Sequence, residues 1–258
     1  MTVSPPPASN RDGGRVVLWD ADLCSRSPLF WPIAGAARRL AEETARDGSA
    51  FPQPEAIDAA LGERAGVRFE RQRPVSRRRR RPRDPESMYD ARIAREGCVP
   101  TRPGSWHDLM NALVWATFPL SKRALHMRQH ALVVPAAPGE SARRPRELDA
   151  LALFDEGGLV VTRASAAARA PSEEELAEEI AAGAATAFVF GHAIYEGIVL
   201  GRSAPLASVV WVTAALPDTD RALAAIVADP SRLIEPSTML RLRADDRLVP
   251  RTDWPAAP

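Results

Sequence analysis

Residues Trp106–His130 read W-H-D-L-M-N-A-L-V-W-A-T-F-P-L-S-K-R-A-L-H-M-R-Q-H and hold three of the four histidines and the only lysine of the chain. Up to Phe118 nearly every other position is apolar, which predicts a buried helix. On that helix His107, Asp108 and Asn111 share an arc of about 100°. Pro119 is expected to end it, and Ser121 to cap a second helix running from Lys122 to about Val134. On the second wheel Ala124, Leu125, Met127, Ala131, Leu132 and Val134 form an apolar face. Lys122, His126, Gln129 and His130 lie opposite, on what reads as a solvated face. Arg128 falls inside the apolar face and cannot shed its charge, so it is expected to pair with Asp155, Glu156 or Asp108.

Working outward, further helices are expected from Ala34 to Arg46, Pro54 to Ala65 and Thr219 to Ala228, and a strand from Val209 to Thr213. Leu151–Phe154 and Leu159–Thr162 flank Asp155-Glu156-Gly157-Gly158 and read as a β-hairpin with an acidic tip. Ser172 with Glu175 forms a capping box that opens a helix of about thirty residues, apolar nearly all round from Ala181 to Gly201. His192, Tyr195 and Glu196 interrupt that run, which argues for a buried helix rather than a membrane span. The fold class expected is α+β, mainly helical, with a small antiparallel sheet around the hairpin. Residues 1–14, rich in proline and glycine, are expected to be a disordered tail, and residues 15–258 one globular domain.

Composition excludes more than it assigns. With 258 residues, 45% of them hydrophobic, and a formal charge of +1, the chain exerts no global pull on nucleic acid or anionic lipid. The strongest local charge is the arginine-rich loop at 71–86, with the unbroken run Arg77–Arg81, and nucleic acid can be reached through that run alone. Cys24 and Cys98 are too few for a disulfide framework and read as reduced thiols. No signal peptide or membrane anchor is evident, so the expected location is the cytoplasm. The thirty-three arginines stand against a single lysine, a bias that tilts attention toward the lysine, Lys122, and the sparse Asn111 and Tyr195.

Several runs together resemble a known family. Tyr89-Asp-Ala-Arg-Ile, Pro100-Thr-Arg, Trp106-His-Asp with Asn111-Ala-Leu and Phe118-Pro, then Leu153-Phe-Asp-Glu and Gly191-His-Ala with Glu196, are similar to the bacterial family catalogued as domain of unknown function 3025. The similarity spans Tyr89 to Glu196 and is looser from Arg15 to Met88. It brings no assigned reaction, cofactor or substrate. The chain departs from the family pattern at His126, where asparagine is usual, and at Asp253-Trp254, where the usual ending is glycine-tryptophan. The first departure weakens a role for His126.

Two functions of different class follow from the residues. In one, the protein is a metal-dependent hydrolase acting on an anionic substrate. Its divalent ion, zinc or manganese or magnesium, is held by some of His107, His130 and His192. Asp108, Asn111, Lys122 and Glu196 are the candidate catalytic groups, and Arg123 and Arg128 the candidate substrate-binding ones. Asp155 and Glu156 are further possible ligands or bases. In the other, the protein is a non-catalytic binding or scaffold protein, its polar groups a buried network and its arginine loop a docking segment. A shared site requires His107, Asp108 and Asn111 to meet His192 and Glu196 in space.

Overall fold

The computed structural model describes residues 18–72, 89–133, 145–164, 171–203, 205–215 and 218–248. The tail at 1–14, most of the arginine-rich loop and Asp253-Trp254 lie outside those residues. After two short 3-10 turns, Leu23–Arg26 and Pro28–Ile33, come helices α1 (Ala34–Asp47) and α2 (Pro54–Ala65), then strand β1 (Arg68–Arg71). Helix α3 (Tyr89–Glu96) leads into β2 (Cys98–Thr101), α4 (Trp106–Thr117), α5 (Pro119–Val133), α6 (Arg146–Gly157) and β3 (Gly158–Arg163). The rest is α7 (Glu173–Ala181), β4 (Ala185–Val189), α8 (His192–Val199), β5 (Leu206–Thr213), α9 (Thr219–Ala228) and β6 (Arg241–Arg243). The fold is mainly helical α+β, as expected.

Two small sheets are present among the described residues. Strands β1 and β2 pair in parallel, and the second sheet has the order β4-β3-β5-β6. In it β3 runs antiparallel to β4 but parallel to β5, so the sheet is mixed rather than antiparallel. The expected hairpin is absent, because Leu151–Phe154 belongs to α6. Leu and Ala there favour helix, and Leu148, Leu151 and Phe154 bury one face at helical spacing.

The single long helix is likewise replaced by α7, β4 and α8. The capping box at Ser172 and Glu175 forms. Helix α7 then ends in a Schellman turn, with Gly183 at φ +71° and Ala184 N donating to Glu179 O. Thr186, Phe188 and Val189 continue as a strand buried on both faces, which is why the run looked apolar all round. Among the described residues no helix is long and apolar enough to cross a membrane.

Helix α4 runs through the core, with every residue from Leu109 to Ala116 buried. It packs against α2 and α8, while α5 packs against α3 and α9. Helix α5 begins at Pro119 rather than after Ser121, because the Asp220 carboxylate accepts from Leu120 N and Ser121 N, both at 2.9 Å. Its faces are also reversed. Lys122, His126, Gln129 and Arg128 are buried with Leu125, while Met127 is 43% exposed. Carboxylates on α3 and α6 decide this, since a charged group enters a core only with a partner. Arg128 does find one, but it is Glu147. Its guanidinium also donates to the carbonyls of Val227, Asp229 and Arg232.

Candidate functional site

Ser105 caps α4 by accepting from Asp108 N at 3.2 Å. The reciprocal half of a capping box does not form, because the Asp108 carboxylate turns to Arg102, taking its backbone N–H at 2.6 Å and its guanidinium in a bidentate pair. Trp106 is buried against Phe51, and the next residue, His107, faces a cavity of about 370 Å³.

The facing residues come from α8 and the end of α6. Gly191 precedes His192 and lies so close to the α6–β3 junction that a Cβ there would sit 2.5 Å from Glu156 O. Phe190 N and Gly191 N both donate to Gly158 O, at 3.0 and 2.9 Å. This clamp sets His192 beside Glu156.

The result is a convergence of three ligand-type side chains. His107 Nε2 and His192 Nε2 are 3.1 Å apart, and the Glu156 carboxylate oxygens lie 3.4 Å from His192 Nε2 and 3.9 Å from His107 Nε2. Ligand atoms about 2.0–2.1 Å from a tetrahedral ion stand about 3.3 Å from one another, so the spacing suits zinc. Among the described residues these three are the group placed to hold a metal ion. On its far edge His107 Nδ1 meets Glu196 Oε2 at 3.1 Å, the kind of contact by which a carboxylate orients an imidazole through its other nitrogen when that ring binds a metal.

Below this group lies a buried polar layer. Asp155 pairs with Lys122, which has no solvent exposure, and stands 4.0 Å from both His126 Nε2 and His192 Nδ1. His126 Nδ1 meets Asp90 Oδ1 at 2.8 Å, its ring stacked on Trp115 at an interplanar angle of 8°. Asn111 donates to the Tyr89 hydroxyl at 2.9 Å.

The surroundings drive the two imidazoles apart. The Glu196 hydrogen bond raises the pKa of His107 above its ordinary value, whereas burial pushes His192 down to about 3. Burial also raises Glu156. It works the same way on Asp155, but the Lys122 ammonium beside it outweighs burial and holds that carboxyl well below the usual range. Opposed shifts within one cleft mark a place suited to proton handling or metal binding.

Of the residues named from sequence, His107 and His192 meet, Glu196 supports His107, and Asn111 and Asp108 line the same cavity. Lys122 lies under it on Asp155. His130 does not line the cavity, and Glu156 is the third residue of the group that could hold a metal ion. Arg123 is exposed and Arg128 is bound to Glu147 and three carbonyls; neither lines the cavity. Sequence reasoning missed Tyr89, Asp90, Arg102 and Gln129, and it set His126 aside. Two signals were available, the Tyr89-Asp90 dipeptide at a helix start and Arg102 six residues before Asp108.

No curated protein and no solved structure matches the chain. A family model described as Protein of unknown function (DUF3025) matches residues 75–229, a span that contains His107, Glu156, His192 and Glu196. The chain belongs to the DUF3025 family.

Proposed function

We propose that the protein is a metal-dependent hydrolase. The observation that carries this reading is the meeting of His107, His192 and Glu156 at tetrahedral spacing, with Glu196 on the outer nitrogen of His107. Two imidazoles and one carboxylate suit zinc better than magnesium. Such an ion lowers the pKa of a bound water toward neutrality and so supplies a nucleophile. The protein's own groups do the rest. Glu196 holds the proton on His107 Nδ1 and leaves Nε2 free to coordinate. Asp155 and Lys122 form a charged base beneath His192. At the edge of the cavity the Arg102 guanidinium, already paired with Asp108, is the cation an anionic substrate group would meet, a role that Arg123 and Arg128 are not placed to take.

The scaffold reading draws on the Lys122–Asp155 and Asp90–His126 pairs, which satisfy each other without any ligand. The two readings separate on metal. Elemental analysis of the purified full chain is expected to give about one divalent ion per chain. His107→Ala and His192→Ala are each expected to lose it, and hydrolysis of an ester and phosphoester panel to fall in proportion. A metal-free protein that takes up no zinc at micromolar concentration, or full retention in both variants, would overturn the hydrolase reading.

A further inference from the structure

Part of the cavity wall consists of acceptors that the described residues do not use. Asn111 Oδ1, His126 Nε2 and Gln129 Oε1 are buried and make no hydrogen bond to any described residue, on residues 7%, 2% and 6% exposed that all line the cavity. In the neutral imidazole whose Nδ1 donates to the Asp90 carboxylate, Nε2 keeps a lone pair. That lone pair lies 4.0 Å from Asp155 Oδ2. The gap is too long for a direct bond, yet one donor atom set between them reaches both at about 2.8–2.9 Å. Buried acceptors left without donors cost stability, so a cluster of them in one wall points to a ligand that donates.

Charge narrows the choice of donor. Among the described residues, Asp90, Asp108, Asp155, Glu156 and Glu196 stand in or against the cavity, with Arg102 and Lys122 as the lasting cations. A divalent ion at the histidines therefore leaves one negative charge unmatched among these groups. An ordered water would offer two donors and no charge, whereas an ammonium offers three donors and the missing charge.

We propose that the wall formed by Asn111, His126, Gln129 and Asp155 binds the ammonium group of a small-molecule ligand. The claim deepens the hydrolase reading by naming a substrate group, but it rests on the unused acceptors and not on the ion. With Arg102 at the same cavity, it describes a substrate that carries both an amino and an anionic group.

The test is equilibrium binding to the full chain, zinc-loaded and chelator-treated, of three matched probes: n-butylamine, charged at about pH 7, 1-butanol and butyrate. Ligand-observed NMR is expected to show the amine bound about tenfold or more tighter than the alcohol, with or without zinc. Asn111→Leu and Gln129→Met are each expected to weaken the amine about tenfold while zinc content stays unchanged, and Gln129→Met also keeps the melting temperature of the unaltered chain. Equal binding of amine and alcohol by the unaltered protein, no binding of the amine, or amine binding seen only with zinc would overturn the proposal. Loss of zinc without loss of amine binding would remove the metal reading and leave this one standing.

Discussion

At the level of single residues, Glu196 shows how a side chain one step removed from the proposed ligand atoms can set their chemistry. Its carboxylate meets His107 Nδ1 at 3.1 Å, which assigns the proton to that nitrogen and turns Nε2 toward His192 and Glu156. Glu196→Gln keeps an acceptor in place but removes the charge. Zinc affinity is expected to fall about 10- to 100-fold, as is usual when such a support is weakened. The His107 titration is expected to move down toward its ordinary value, since Glu196 is the main cause of its rise. Equilibrium dialysis and histidine NMR check the two outcomes, and unchanged zinc affinity would assign Glu196 to packing alone. The meeting of His107 with Glu196 was legible in the sequence, because polar stripes on two otherwise apolar helices are least costly when they face each other. Glu156 as a candidate ligand was half legible: the sequence offered it as a ligand or base, but an acidic pair before Gly157-Gly158 reads equally well as a turn tip. His126 was hidden by the helical wheel. Its burial depends on Asp90, thirty-six residues earlier, and nothing local to α5 announces that partner.

Among the elements, the junction of α6, β3 and α8 decides whether the site exists. Gly191→Ala would put a Cβ 2.5 Å from Glu156 O and Gly158 N, both backbone atoms that cannot swing aside. A destabilisation of about 1–3 kcal/mol is expected, typical of overpacking, together with loss of zinc, because His192 and Glu156 are both displaced. Gly197→Ala is the matched control on the same helix. Its Cβ meets Arg202 side-chain carbons at 3.8 Å and beyond, an ordinary contact, and alanine favours helix. That variant is expected to melt at or above the temperature of the unaltered protein and to keep its zinc. Equal effects of both substitutions would deny the junction its special role. Helices α2 and α9 were readable to the residue, since Pro54, Pro230 and helical apolar spacing bound them. Elements whose apolar runs are short were not. The strand β4 is hidden in a run that satisfies helical and strand periods alike, and only the left-handed Gly183 divides it from α7.

Over the whole molecule, the buried histidine makes stability depend on acidity in a definite direction. His192 is held neutral in the folded chain, its pKa lowered from 6.5 to about 3 by burial. In the unfolded chain it takes up a proton near its ordinary value, so between those two pH values the unfolded state binds more protons and stability falls as pH falls. Asp155 adds a second loss lower down. Its folded pKa lies below 3.8, so its contribution is complete above that value and disappears as pH drops through the folded one. His107 works in the opposite sense. Its raised pKa contributes stability below 6.5 that is lost as pH rises, which places the stability maximum of the metal-free protein near neutrality. Denaturant unfolding in chelator is expected to show His192 costing about 2–3 kcal/mol between about pH 6 and pH 4. His192→Gln cannot titrate and should flatten that part of the profile relative to the unaltered chain, even if it starts from a lower stability. Parallel profiles would mean that His192 is charged inside the fold. A charged imidazole 3.1 Å from His107 Nε2 would be incompatible with a metal between them, so the same curve tests both the burial of His192 and the site built around it.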